Sequence, residues 1–333
     1  MPGQNQVRLR SFDFSTNSSP TLSRFYTYVV PASLVVRTNG QGTLSPDLGH
    51  KALELGQLYT VTARPARGFV FQSWEGEGLA NTNHATLSFV MVSNVMTLVA
   101  NFVTNPFPAV AGAYKGVFLD PNHVQPESAG TFALQLAQSG SFSGKLGMNG
   151  TSYPFRGQFD LTGVTTVPVL RHSLPPSVLA MQLDLATDSG KLTGCVTNLV
   201  GTNLVVSEVM SERNLFDANS NPAPQAGTRG FILRRASDQT EIGRGQATIS
   251  KSGTVQLQGR WSNNLGFALT SVLFKHDFEG GNVPFYLSYF GGTEIIIGLP
   301  NFRAHPNDIS GELAWVRSGT NQFSRTLEFV PLP

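Results

Sequence analysis

Apolar and polar positions alternate with a period of two along most of this chain, most openly over residues 130–159, GTFALQLAQSGSFSGKLGMNGTSYPFRGQF. Phe132, Leu134 and Leu136 alternate with Ala133 and Gln135, and Phe142, Gly144 and Leu146 with Ser143 and Lys145. Tyr153, Phe155, Gly157 and Phe159 then alternate with Pro154, Arg156 and Gln158. Successive side chains of a strand point to opposite faces, so three such runs predict an antiparallel meander with one apolar face. Ser139-Gly140 and Asn149-Gly150 stand between the runs and tolerate the positive φ of tight hairpin turns.

The same pattern recurs downstream. Ala111-Gly112-Ala113-Tyr114 corresponds to Ala226-Gly227-Thr228-Arg229, the turn at Ser139-Gly140 to Ser252-Gly253, and residues 130–136 to 243–249. Val167-Pro168-Val169 and the run 179–185 correspond to the stretch 283–289. Residues 111–333 therefore read as a duplication with halves at about 111–225 and 226–333, each supplying about five strands. Half a meander leaves an apolar face and two open edges, so the halves are expected to close on each other as one barrel, or as a sandwich.

Upstream, Val7, Leu9, Phe12 and Phe14 lead into the polar turn 15–20, and Phe25, Tyr26, Tyr28 and Val30 return. Residues 1–32 thus form a hairpin, and its pattern resembles the closing strands of an immunoglobulin-like or fibronectin-like domain, the remnant of a longer parent. Residues 33–104 make a second module, in which Gly68 sets Phe69 and Phe71 on one face with Trp74 behind them as core. Asn105-Pro106-Phe107-Pro108 opens a stiff linker over 105–110, since each proline fixes its own φ and restrains the residue before it. The fold class is all-β: an immunoglobulin-like strand remnant, a small grasp-like module and a duplicated antiparallel barrel.

Composition agrees with this reading. The 333 residues include 34 Gly and 20 Pro with 13% charged residues, which suits a turn-rich β protein. A net charge of +2 without a basic stripe excludes the electrostatic footprint of a nucleic-acid binder. No run reaches the ~18 apolar residues of a membrane span, and the opening residues lack an apolar leader core. The lone Cys195 lies in the alternating run 192–196 and is read as a small strand residue.

Motifs that carry chemistry come close without matching. Ser139 to Leu146 imitates a phosphate loop but lacks its first glycine, and Leu146 replaces the Ser or Thr. Asp217-Ala218-Asn219-Ser220-Asn221 begins like a calcium loop, yet Pro222 takes the turn-glycine position and Thr228 that of the bidentate glutamate. His50, His84, His123, His172, His276 and His305 never fall at metal-motif spacing, and His276-Asp277 would point to opposite faces of a strand. Glu75 and Glu77 read as solvated turn residues, and no Gly-x-Ser-x-Gly elbow is present. The expectation is no catalytic residue, no metal and no cofactor.

Two resemblances set the functional expectation. The motifs NGQGTLSP at 39–46, LGQLYTVTARPARGFVFQSWEG at 55–76 and TLVANF at 97–102 resemble the bacterial repeat related to the internalin B-repeat. That resemblance implies a spacer or adhesion module of an exported surface protein. The motifs GAYKGVF at 112–118, NLFDANSNPAPQAG at 214–227, GRGQATISKSGTVQLQG at 243–259 and VPFYLSYFGG at 283–292 resemble a C-terminal domain of very large surface proteins of Gram-negative bacteria, one without an assigned activity. Both imply an extracellular or cell-surface location, neighbouring domains in a longer parent chain, and a non-catalytic spacer, adhesion or binding role. The alternative is an accessory carbohydrate-binding region of a polysaccharide-active enzyme. The strand 283–292 carries rings on both faces and the loop 300–307 is rich in donors, so a glycan or surface polymer is expected at Tyr286, Phe290, Asn301, Arg303, His305 and Asn307.

Overall fold

The computed structural model describes residues 3–80, 82–187, 189–275, 280–303 and 308–332. The chain divides into two compact units, Met1–Asn105 and Pro106–Pro333. Strands build both, in keeping with the all-β expectation.

The first unit opens with an antiparallel hairpin of β1 (Gly3–Leu9) and β2 (Leu22–Tyr28). Leu9, Phe25 and Tyr28 on it stay exposed, and among the described residues no third strand joins. The hairpin expected here is present as this one ribbon. There follow β3 (Pro31–Asn39), β4 (Gly42–Ser45), β5 (Leu53–Glu54), β6 (Leu58–Pro65), β7 (Phe69–Glu75), β8 (Thr86–Val90) and β9 (Val95–Thr104). They make a four-stranded sheet, β5-β3-β9-β7, with β3 and β9 parallel, and a three-stranded sheet, β4-β6-β8. Their shared core holds Leu34, Val61, Trp74, Phe89, Leu98 and Phe102. Phe71 and Trp74 lie three residues apart, an odd spacing that would put them on opposite faces. A register shift between Phe71 and Ser73 restores the phase, and the two rings pack 5.5 Å apart. The Asn39-Gly40-Gln41-Gly42 turn is set by contact as well as by φ, because a Cβ on Gly42 would meet the Phe102 ring at 2.4 Å.

The second unit begins at Pro106, so all but the first residue of the stiff linker expected over 105–110 belongs to it. Phe107 and Val110 are buried in its core. Eight strands follow: β10 (Gly112–Leu119), β11 (Gly130–Leu136), β12 (Ser141–Met148), β13 (Thr151–Gln158), β14 (Val164–Arg171), β15 (Leu174–Leu183), β16 (Lys191–Val200) and β17 (Asn203–Arg213). They form one sheet in the order β13-β12-β11-β10-β17-β16-β15-β14. The second half has β18 (Gly227–Arg235), β19 (Glu241–Ile249), β20 (Thr254–Trp261), β21 (Gly266–Val272), β22 (Gly281–Asn282), β23 (Phe285–Tyr289), β24 (Glu294–Gly298), β25 (Asn301–Phe302), β26 (Ile309–Ser310), β27 (Glu312–Arg317) and β28 (Phe323–Pro331). Its large sheet runs β21-β20-β19-β18-β28-β27-β24-β23, and β22-β25-β26 form a small side sheet. With the long strands of each half counted from its start, the order is the same in both. The duplication is real at the level of topology, down to the turns: Gly140 N–H donates to Ala137 O and Gly253 N–H to Ser250 O, both at 3.0 Å.

The closure differs from expectation. Each half is a nearly closed eight-stranded barrel with a core of its own, one built on Phe118, Phe132, Leu146, Leu179 and Val196, the other on Phe231, Leu257, Phe285, Ile296 and Phe329. The halves do not close on each other. Eight tilted strands enclose an interior that side chains can just fill, so a half with eight strands rather than five needs no partner to bury its apolar face. At each seam a hydroxyl bridges the unladdered strands, Thr165 Oγ1 donating to Gln158 O at 2.9 Å and Ser271 Oγ to Pro284 O at 2.7 Å.

The barrels meet through outward-facing residues. Val117 and Ala129 of the first pack with Ile295, Ile297 and Val316 of the second. Beside this patch the Asn149-Gly150 turn lies against Gly291-Gly292 so closely that a Cβ on Gly292 would fall 2.0 Å from the Asn149 carbonyl carbon. Backbone meets backbone there.

Candidate functional site

Inward-facing positions at one end of the second barrel carry polar-tipped rings and charges, where its middle is filled by Phe, Leu and Ile. β20 ends there with Trp261, β23 with Tyr289 and β27 with Trp315 and Arg317, while β24 starts with Glu294 and β28 with Phe323 and Arg325. The reason lies in strand parity. On β27, Leu313 faces the core, so Trp315 and Arg317 share its face; on β28, Leu327 and Phe329 do the same for Arg325 and Phe323. Trp261, Tyr289, Glu294, Trp315 and Arg317 line a mouth of about 310 Å³, with Phe290 on its rim and Ile242 and Ile296 at its floor, while Phe323 and Arg325 lie beside it, packed against Trp315.

A hydrogen-bond network holds the rings in place. Glu294, almost wholly buried, accepts from Trp315 Nε1 through Oε1 at 2.8 Å and from Arg317 Nε through Oε2 at 2.5 Å. Trp261 Nε1 donates to Tyr289 Oη at 2.9 Å, and the Trp261 ring packs on Phe267 at 4.5 Å. Burial, with the Glu294 charge adding to it, pushes the Tyr289 phenol above its usual pKa even though the Trp261 hydrogen bond opposes the shift. Tyr289 is therefore neutral at physiological pH. Arg317 sits 5.0 Å over Phe290 and 5.2 Å over Phe323, and Arg325 lies 5.5 Å over Trp315 and 4.8 Å over Phe323. Flat rings and guanidinium planes facing a small cavity suit recognition of a planar or ring-shaped polar ligand.

The duplication supplies an internal control. Carrying the ladder registers round both barrels from Gly112 and Gly227 sets Trp261 against Met148, Tyr289 against Arg171, Glu294 against Pro175 and Trp315 against Asn198. In the first barrel that end is plugged: Arg171 Nε donates to Pro175 O at 2.8 Å, and the buried Asn198 bonds Ser177 through its oxygen and Met148 Sδ through its nitrogen, the latter at 3.7 Å. The aromatic mouth belongs to the second barrel and is no requirement of the shared architecture.

The six residues expected to form a site separate. Phe290 lies on the mouth rim, exposed, with φ of 50°. Tyr286 faces outward from β23 into the patch between the barrels, where burial raises its phenol pKa. Asn301 and Arg303 follow the far end of β24, away from the mouth; Asn301 donates to Asn282 Oδ1 at 2.9 Å and Arg303 pairs with Asp308 at 3.3 Å. His305 and Asn307 lie outside the described residues, as do His276 and Asp277. Sequence reading missed Glu294, Trp315, Arg317 and Arg325. The signal that could have found them is the run Leu313, Trp315, Arg317 on one strand face beside Phe323, Arg325, Leu327 on the next.

The first unit is organised round fixed turns and a buried tryptophan. Trp74 is 2% exposed and donates from Nε1 to His84 O at 3.0 Å, and Glu75, read as solvated, accepts from Asn101 Nδ2 at 2.8 Å. Residues 32–106 match the family model of the divergent InlB B-repeat domain. This matching stretch thus uses Trp74 as core. No curated protein matches the chain. Among solved structures, a candidate outer membrane protein of Bacteroides fragilis NCTC 9343 is similar at 14% identity and a TM-score of 0.23, covering 69% of this chain and 100% of its own. A protein of unknown function from the DUF3598 family of Nostoc punctiforme PCC 73102 is similar at 11% identity and a TM-score of 0.21, covering 68% of this chain and 98% of its own. Scores of this size do not establish a shared fold. Among the described residues, no helix is long and apolar enough to cross a membrane and no group of His, Cys, Asp and Glu could hold a metal ion.

Proposed function

We propose that this chain is a non-catalytic portion of a bacterial extracellular or cell-surface protein, with the B-repeat domain as spacer or adhesion segment and the mouth of the second barrel as the binding site for a glycan or other surface polymer. The observation that carries the reading is the convergence of Trp261, Tyr289, Phe290 and Trp315 on one cavity of about 310 Å³, at the small end of ligand sites, which run to about 300–1,000 Å³. Exposed rings stack on the apolar faces of sugars, and the buried Glu294 fixes the Trp315 plane before a ligand arrives. An accessory carbohydrate-binding region of a polysaccharide-active enzyme would use the same mouth in the same way, and the two settings share one test. Affinity electrophoresis of the intact chain through gels containing bacterial surface polysaccharides is expected to show retardation by at least one polymer, reduced in Trp315→Ala. Free migration through every polymer removes the reading.

A further inference from the structure

We infer that the mouth of the second barrel selects an anionic sugar residue, a hexuronate or a sulfated ring, and that Arg325 is the group that reads its charge. This rests on the glycan reading above and narrows it.

The charges at the mouth do not cancel. Arg317 is neutralised by Glu294, whose two oxygens are both engaged, and Arg235 pairs with Asp238 at 2.5 Å. Among the described residues Arg325 makes no ion pair. It lies exposed beside the mouth, stacked by its guanidinium on the lining residue Trp315 and on Phe323. A guanidinium stacked on a ring keeps its N–H groups free at its edge, the geometry in which arginine grips a carboxylate or sulfate with two parallel hydrogen bonds. The attraction is strengthened by the rings beneath, which exclude water from one side of the pair.

Two further observations select the ligand class. The interior under the mouth is filled by Leu233, Phe267, Phe285 and Phe329, all buried, so a fatty acid could place its carboxylate at Arg325 but would find no channel for its acyl chain. A ring-shaped anion fits where a chain-like one does not. The duplication adds the second: the registers that match Trp315 with Asn198 match Arg325 with Val205 and Arg317 with Val200. The barrel closes as well without these arginines, so they answer to something other than folding.

The test uses the full chain, with tryptophan fluorescence and titration calorimetry against oligogalacturonate, a sulfated oligosaccharide and a neutral oligoglucan of equal length. The acidic ligands are expected to bind at least about ten-fold more tightly than the neutral one, with the advantage shrinking as salt rises. Whichever acidic ligand binds better identifies the group read as carboxylate or sulfate. Arg325→Gln is expected to abolish the advantage, so that acidic and neutral ligands bind alike, and Arg325→Lys, which keeps the charge without the fork, to restore part of it. Equal affinity for acidic and neutral ligands, or an unchanged preference in a folded Arg325→Gln, overturns the inference and leaves the glycan reading standing. Binding of none of the three overturns both.

Discussion

Glu294 does more for the mouth than any ring in it, because its carboxylate fixes the Trp315 plane and the Arg317 fork at once. Truncating it to Ala strands a half-buried guanidinium and an indole N–H. Breaking a buried pair costs about 3–5 kcal/mol, and Arg317 keeps 30% of its side-chain exposure, so a loss of about 2 kcal/mol is expected in urea unfolding of Glu294→Ala. Tyr286 and Phe290 differ by four residues and should differ in kind. Tyr286→Ala removes a ring from the patch between the barrels and should lower the melting temperature without changing ligand retention; Phe290→Ala removes an exposed rim ring and should do the reverse. A titrating residue tests the loops. Hydrogen bonds from the Ser189 and Thr187 hydroxyls and the Ala186 N–H hold the Asp184 carboxyl well below its usual 3.8. A depressed folded-state pKa contributes stability above pH ~4 that is lost as pH falls through the lower value. Since Asp184 lies at the surface, only partly covered, the effect is small, and Asp184→Asn should flatten the acid limb of the stability curve rather than shift the neutral plateau.

At the scale of elements, alternation and turn residues placed β11, β12 and β13 where the structure has them, because each presents large apolar side chains inward and the Ser139-Gly140 and Asn149-Gly150 turns separate them. The same reading undercounted the strands of each half. β17 faces Ser207 and Ser211 into the barrel, where their hydroxyls bond back to the Ser128 and Leu192 carbonyls, the latter at 2.9 Å. A buried serine satisfied by a backbone carbonyl looks polar in the sequence, so the alternation reads as broken or reversed. The mouth was illegible for another reason. Period two tells which face a residue takes but not which end of the barrel it reaches, and Trp261, Tyr289 and Trp315 meet only through the closed strand order. Close backbone approach, by contrast, leaves a glycine in the sequence without saying what it touches. Gly42→Ala should destabilise the B-repeat domain by steric conflict with the Phe102 ring, by about 1–3 kcal/mol, readable as an earlier melting transition in the first unit while the second is unchanged.

The second unit as a whole is two barrels with one shared patch, and this decides how it should behave when divided. Phe107 stands under the Gly140 turn of the first barrel as Phe216 stands under the Gly253 turn of the second. Phe216 and Ala223 pack in the second core, so the natural division follows β17 and precedes Phe216, earlier than a boundary drawn at residue 225. Had the halves closed on each other, removing either would leave an open sheet and an unfolded remainder. With separate cores, residues 106–215 and residues 214–333 should each fold alone, giving a β-type circular dichroism spectrum and a cooperative melt. Separation uncovers Val117 and Ala129 on one half and Ile295, Ile297 and Val316 on the other, so each isolated half should melt below the intact unit. Mixed in equal amounts, the two should reassociate, seen as a single faster-sedimenting species. Substituting Gly292 with Val blocks the approach to the Asn149 turn and should prevent that association while leaving each half folded. If neither half melts cooperatively, the barrels depend on each other for folding in spite of their separate cores.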